Sequence, residues 1–425
     1  MTATSAQAGL PRRVLLGYAG GSLATGAFGT VPGLLLLPYL TDTLGVAAGV
    51  AGLLVLLPKA WDVLVNPVAG RLSDRSGDRR PYLLWGGAAL AVLFAAMFAV
   101  PAGWYVAVAF LATATAFAFY QVPYVALPAV LTEDHAERTR IMTYRVAVLA
   151  VAILASGALA PLVVDLGGGG VAGHRWMGLF VGVLILAGAL WAYLGTRGTP
   201  VGRATQAEPS LRAQLAVAGA NRRFTALLAC FVVQSAGIAT MLAGVQYFAD
   251  HVVGQASGAT FLFAGFVGPA LLVMPLWSRA GARLGKRRAL VAASLLFAAG
   301  ACALVASPAL PGAAIYALVA VTGCGYAGQQ VFALALLPDH IAADEQRTGR
   351  RQAGVFTGLW TAGETFGLAL GPGIYALVLQ LSGYASSTGG TAAAQDDAAR
   401  LGVLLGFTVV PAVLVATATA LLRSR

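Results

Sequence analysis

The chain has 425 residues, 59% of them hydrophobic and only 10% charged, with a mean hydropathy of +0.80 and a formal net charge of +11. An average soluble domain carries roughly 25% charged residues, so this composition excludes a soluble protein and describes a chain that crosses a lipid bilayer many times. The positive balance does not mark a nucleic-acid surface, because Lys and Arg punctuate apolar runs instead of gathering on one polar face.

Spanning the hydrocarbon layer takes about 20 apolar residues. On that criterion helices are predicted at 14-40, 47-72, 81-101, 103-131, 140-165, 172-195, 224-249, 257-280, 287-307, 311-337, 352-381 and 400-422, twelve in all. The first follows Arg12-Arg13 and is long enough to span, so it reads as a retained helix and not as a cleaved signal. Of the 27 Lys and Arg residues, 23 fall at the termini or in loops on the same side as the termini. Arg175 and Arg400 lie on the other side, and Lys59 and Arg145 sit within helices. The positive-inside rule then places both termini in the cytoplasm.

An internal repeat emerges from the loops. Gly77-Asp78-Arg79-Arg80 matches Gly285-Lys286-Arg287-Arg288 at an offset of 208, Leu127-Pro128 matches Leu337-Pro338 at 210, and Arg138-Thr139 matches Arg347-Thr348 at 209. Two copies of a six-helix unit are therefore expected, one at 1-195 and one at 223-425, joined by an Arg-rich cytoplasmic linker at 196-222. The loops Gly167 to Gly170 and Ser386 to Asp397 are rich in Gly, Ser and Ala and read as flexible connectors.

Cys230, Cys302 and Cys324 lie in apolar segments without paired spacing, and His135, His174, His251 and His340 fall at helix ends or in loops with no second ligand near in sequence. No metal site and no cofactor are expected. No nucleophile with its base is apparent, which argues against an enzyme, and no segment is long enough for an appended receptor module.

Four charges interrupt predicted spans: Lys59, Asp62, Arg145 and Glu364. Each costs about 2.5–3.5 kcal/mol at a helix centre, on the order of 10 kcal/mol together. Lys59, Asp62 and Asn66 recur at helical spacing, so they share one face, and that face cannot point at lipid. One reading is an ion-pair network that holds helices together; the other is a substrate and proton pathway, since a carboxylate in low dielectric is a proton carrier.

Two six-helix halves with cytoplasmic termini, and the loop Gly70-Arg71-Leu72-Ser73-Asp74-Arg75-Ser76-Gly77-Asp78-Arg79-Arg80, resemble the major facilitator superfamily. The resemblance implies an all-α membrane protein of twelve transmembrane helices in two six-helix halves, with Asp74, Arg75, Arg79 and Arg80 as a cytoplasmic gate. Pro58-Lys59-Ala60-Trp61-Asp62-Val63-Leu64-Val65-Asn66-Pro67, with Gly17-Tyr18, Tyr39-Leu40-Thr41-Asp42, Arg79-Arg80-Pro81, Val122-Pro123-Tyr124 and Tyr144-Arg145, resembles more narrowly the glycoside-pentoside-hexuronide:cation symporters, the melibiose permease family. That likeness implies a secondary active transporter of a small sugar-like solute, monomeric, in the bacterial inner membrane.

The departures are specific. Asp62 matches the first of the family's paired helix 2 aspartates, but the second is Asn66, the neighbouring Asn is Val65, and the helix 4 Thr is Ala118. The sugar-binding aspartates of helices 1 and 4 are Gly26 and Gln121, the helix 5 arginine is present as Arg145, and the helix 11 lysine is Glu364. The resemblance thus implies a coupling set of Asp62, Asn66 and Glu364 using a proton rather than sodium, and a substrate-binding set of Lys59, Arg145, Gln121, Trp360, Tyr120 and Tyr18. Galactoside is not the expected substrate, and Glu364 is expected either to take a proton or to pair with Lys59 or Arg145. Lysolipid or amphiphile transport, and proton-driven export of apolar compounds, stand as alternatives.

Overall fold

The computed structural model describes residues 10–76, 78–132, 134–198, 219, 221–255, 258–349, 353–389 and 393–423. Most of the predicted linker lies outside these residues, as do Gly77 and the side chain of Asp74. The described residues form twelve helical rods: α1 (Arg12–Thr43), α2 (Ala48–Arg75), α3 (Arg80–Ala96), α4 (Gly103–Ala126), α5 (His135–Leu166), α6 (Gly170–Thr196), α7 (Arg222–Val253), α8 (Gly258–Leu284), α9 (Lys286–Ala309), α10 (Gly312–Thr348), α11 (Ala353–Leu381) and α12 (Asp397–Leu422). Eleven are long and apolar enough to cross a membrane, and α3 is shorter at 17 residues.

The predicted and observed rods correspond one to one, and their ends differ where hydropathy and helix length part company. Helix α10 runs past the predicted end at 337 to Thr348, because a helix leaving the bilayer turns polar without unwinding. It stops where Gly349 takes a left-handed φ of 68° and returns its N–H to the Glu345 carbonyl, as a C-terminal glycine does.

Packing follows one pattern twice. Helix α1 lies against α5 and α6, α2 against α4, and α3 against α4 and α6; correspondingly α7 lies against α11 and α12, α8 against α10, and α9 against α10 and α12. Helices α1 and α7 both end in a π turn, at Tyr39–Thr43 and Ala249–Val253, the same 210-residue offset found between the loops. A basic residue at or just before the start of the third helix of each copy reaches a neighbouring helix: Arg79 donates to the Ala126 carbonyl (3.3 Å), and Lys286 to the Ala335 carbonyl (3.1 Å) and the Asp339 carboxylate (2.6 Å).

Close helix contacts rest on small residues, as in other membrane bundles. A Cβ placed on Gly17 would lie 2.5 Å from the Gly195 Cα, so α1 and α6 touch backbone to backbone.

Across the two copies, α1 packs on α7, α2 on α11 and α5 on α8. The seam is tight at the end away from the termini. There Gly49 donates its N–H to Gln380 Oε1 (3.0 Å), Gly52 abuts Ala376, and Leu56 faces Gly373. On the α5–α8 side, the Thr260 hydroxyl donates to the Ala158 carbonyl (3.0 Å). Among the described residues, helices α4 and α10 pack substantially only within their own copy.

The segment after α11 differs from its expected role as a flexible connector. Residues 386–389 lie along 41–46, with one isolated antiparallel bridge between Leu44 and Thr388: Ser387 and Gly389 donate their N–H groups to the Thr41 and Thr43 carbonyls (both 3.0 Å), and the Ser386 hydroxyl donates to the Val46 carbonyl (2.8 Å). Gly45 and Gly389, at φ of 69° and 83°, make the reversals on either side. Composition identified the loop, but its partners are more than 300 residues away in the chain.

A branched side chain at Gly195 must push α1 and α6 apart. Gly195→Val is expected to cost about 1–3 kcal/mol and to lower the unfolding temperature of the detergent-purified protein by several degrees. Gly29→Ala, where a Cβ meets nothing within 4 Å, is expected to leave that temperature unchanged or raise it.

Candidate functional site

Helix α2 divides its faces by chemistry. Leu57, Trp61, Val68 and Leu72 are exposed on the rim of the bundle, whereas Lys59, Asp62 and Asn66 turn inward, with Asp62 only 5% exposed. The Trp61 indole donates to the Thr115 hydroxyl (3.1 Å) on α4 and so helps fix this rotation. Lys59 Nζ lies 5.6 Å from the centre of the Phe28 ring, which is itself held by Phe117 at 4.4 Å. Asp62 Oδ1 is buried without a hydrogen-bond partner. The Lys59 charge acts on Asp62, yet no ion pair of 4.0 Å or less joins them.

One turn further along α2, Val65 and Ala69 pack against Ala118 on α4, with Phe119 and Val122 around them. This contact is apolar at Val65 and Ala118, two positions where the family resemblance implies cation ligands. Among the described residues, no group of three or more His, Cys, Asp or Glu side chains is placed to hold a metal.

Helix α1 forms the adjoining wall. The Tyr124 hydroxyl donates to the Tyr18 carbonyl (2.8 Å), the Tyr120 hydroxyl to the Gly21 carbonyl (2.9 Å), and the Thr25 hydroxyl to Gln121 Oε1 (2.7 Å). Ser22 lies 3.0 Å from the Tyr124 hydroxyl and donates to the Arg145 carbonyl (3.1 Å). Tyr18 stacks on Tyr124 with centroids 4.7 Å apart, and the Arg145 guanidinium sits 5.5 Å above the Tyr124 ring with its Nε unpartnered. Tyr120 is wholly buried and its hydroxyl is occupied, so it positions α4 against α1; the Gln121 amide N–H groups stay available for a ligand. Tyr18 is equally buried, with its hydroxyl unpartnered.

Gly26 does not border open space where an aspartate is missing. A Cβ there would come within 2.8 Å of Ala152 on α5, so this position is a helix contact.

On the opposite wall, Trp360 stacks on Phe231 at 4.1 Å and leaves its indole N–H buried and unpartnered. Glu364, one turn on, is half-buried. The expected pairing of Glu364 with Lys59 or Arg145 is not formed: among the described residues no ion pair joins it to either, although the Arg145 charge acts on it. The reason lies in the seam. Helices α2 and α11 meet at Leu56 and Gly373, and Asp62 and Glu364 lie roughly 9 and 13 Å below that contact at 1.5 Å per residue, where the walls have diverged.

Gln234 on α7 and Gln329 on α10 are both almost wholly buried. Gln234 donates to the Ser294 hydroxyl (2.9 Å) but leaves its Oε1 unpartnered, and Gln329 has both amide atoms unpartnered. Their only sequence signal is polarity within an apolar helix. Of the expected gate residues, Arg79 and Arg80 are held within their own copy by the Ala126 carbonyl and by Asp78, and Arg75 is exposed. Asp74 has its side chain outside the described residues.

Comparison with known proteins adds three findings. The family model described as MFS/sugar transport protein matches residues 17–424. The putative glycoside/cation symporter YagG of Escherichia coli is 26% identical over 94% of this chain and 89% of its own length, and the isoprimeverose transporter of Lactiplantibacillus pentosus is 25% identical over 82% and 76%. Among solved structures, a bacterial homologue of the human lysosomal transporter Spinster, inward-facing and unoccupied, superposes with a TM-score of 0.73 at 15% identity, covering 98% of this chain and 99% of that one. A variant of the nucleoside transporter NupG matches with the same TM-score at 14% identity, covering 96% and 99%. The structural likenesses show the major facilitator fold. A match across nearly the whole chain places this protein in the MFS/sugar transport family, as a multi-pass membrane transporter and not an enzyme.

Proposed function

We propose that the protein is a proton-coupled symporter of a sugar- or glycoside-like solute, working by alternating access between six-helix bundles at 1-195 and 223-425. The observation that carries this reading is the Asp62 carboxylate: buried, unpartnered at Oδ1, beside Lys59, and backed by an apolar α2–α4 contact. Such a group can take a proton, and the apolar Val65–Ala118 contact beside it favours a proton over sodium. Glu364, across the site and under the influence of Arg145, supplies the second carboxylate.

Arg145, Lys59 and the Gln121 amide provide donors for hydroxyl or carboxylate groups of the solute, and the buried, unpartnered Trp360 indole N–H and Tyr18 hydroxyl add hydrogen-bonding capacity behind them. The names of the relatives, a glycoside/cation symporter and an isoprimeverose transporter, favour a sugar-like ligand. Cytoplasmic termini, as the distribution of Lys and Arg predicts, would put the tight seam at the outer face of the inner membrane, which supports reading the protein as open toward the cytoplasm, and it is proposed to work as a monomer.

Uptake into proteoliposomes against a panel of glycosides and amphiphiles, driven in turn by an imposed pH or sodium gradient, is the test. Accumulation of a glycoside driven by the pH gradient is expected, and it is expected to be lost in Asp62→Asn. If Asp62→Asn and Glu364→Gln both retained proton-driven accumulation, or if sodium alone drove it, the proposal would fail. Arg145→Lys, which keeps the charge but loses the planar fork, is expected to raise the half-saturating solute concentration about tenfold or more, read from initial uptake rates.

A further inference from the structure

The seam at the end away from the termini contains a hydrogen-bonded chain of titratable groups that the central site does not use. Tyr384, in the segment after α11, donates its hydroxyl to Asp42 Oδ1 on α1 (2.9 Å). His251 Nε2, in the π turn of α7, lies 2.9 Å from the same hydroxyl oxygen. A tyrosine hydroxyl has one proton; while it goes to Asp42, His251 must donate, which its neutral Nε2–H tautomer does. Burial holds the Tyr384 phenol well above its ordinary range, so it remains a donor.

The chain spans the two copies. Thr41, next to Asp42, shares a 2.6 Å hydrogen bond with the Tyr247 hydroxyl on α7, and Ser387 donates to the Asp42 carbonyl (3.1 Å). Opening this end must therefore break the Asp42–Tyr384 bond and admit water to the carboxylate.

The surrounding charges set the sign. Asp250 on α7, held by the Gln246 amide at 3.1 Å, acts on Asp42 as a second negative charge, and Asp165 on α5 acts in turn on Asp250. Arg400 on α12 acts on His251 and opposes a second cation there. Tyr247 and Tyr375 are neutral neighbours of Asp42. On α6, His174 packs at 4.5 Å against Tyr39, while Arg175 is bonded to the Phe98 and Ala99 carbonyls. Closing the seam thus brings one carboxylate out of water and beside another, with the available cation on the histidine side.

We infer that Asp42, Tyr384 and His251 form a proton-binding site, separate from the central one, in which closure of this end takes up one proton on Asp42 and opening releases it to water. A group that binds its proton more tightly in the closed form favours closure at low pH and loses that contribution as pH rises. The site belongs to the seam and does not depend on which solute or ion the central site carries.

The test is a distance measurement in nanodiscs without solute, using spin labels at Leu166→Cys and Leu381→Cys, both exposed at this end, in a chain whose three native cysteines are replaced by serine. The ratio of closed to open populations is expected to fall about tenfold per pH unit over part of the range from about pH 5 to about pH 9. Asp42→Asn, a neutral group that still accepts from Tyr384, is expected to stay closed with less than about twofold variation across that range. An unchanged slope in Asp42→Asn, or a flat wild-type profile, overturns the inference. Should Asp42→Asn not fold, His251→Gln serves: retention of the slope is expected, and its loss would move the proton to the histidine and overturn the assignment to Asp42.

Discussion

A charge on a spanning helix has to face protein or water, and that constraint governs this molecule. A helix in lipid satisfies its own backbone, so only side chains decide how it is turned. On α2, Lys59, Asp62 and Asn66 recur at helical spacing among Leu57, Trp61, Val68 and Leu72; only one rotation places the first group inside and the second at the rim. Once α2 is so turned, Val65 and Ala69 must pack on Ala118 of α4. Helices α1 and α5 then close around the remaining polar edge through Tyr18, Ser22 and Arg145.

The two ends of the bundle answer that constraint differently. At the end away from the termini, glycine and alanine at Gly49, Gly52, Gly373 and Ala376 let α2 and α11 meet closely, and backbone hydrogen bonds strap residues 386–389 to 41–46. Toward the termini, basic residues are used for a different purpose, serving carbonyls and carboxylates within each copy, as Arg79 and Lys286 do. A bundle held strongly at one end and locally capped at the other can rock about its middle without unfolding any helix.

Much of this was legible from residues alone. Apolar run lengths located twelve helices because hydrocarbon thickness fixes how many residues span it. The 208-to-210 offset of three short loop matches returns as two π turns at Tyr39–Thr43 and Ala249–Val253. The inward face of α2 was legible because helical period and polarity agree there. What stayed hidden depends on distance through space. Ser386 reads as a loop residue, and nothing local says that its hydroxyl reaches Val46. Gly26 reads as a lost ligand position, whereas its role is contact with Ala152. Glu364 carries the right charge for a partner on the other copy, but whether it touches Arg145 depends on which end of the bundle is closed.

That last dependence explains why these charges are spaced apart. Lys59 and Asp62 act on each other without an ion pair, and so do Arg145 and Glu364. A fully formed buried ion pair stabilises little beyond packed apolar side chains, while breaking one is costly. Charges locked in contact would withhold their donors and acceptors from a solute and would oppose any motion that separates the walls. Held beyond contact distance, two cations and two carboxylates stay near neutrality in sum while each keeps hydrogen-bonding capacity. The Arg145 charge reaches Glu364 across the site without an ion pair, so each of the two keeps a face that a contact pair would have used up.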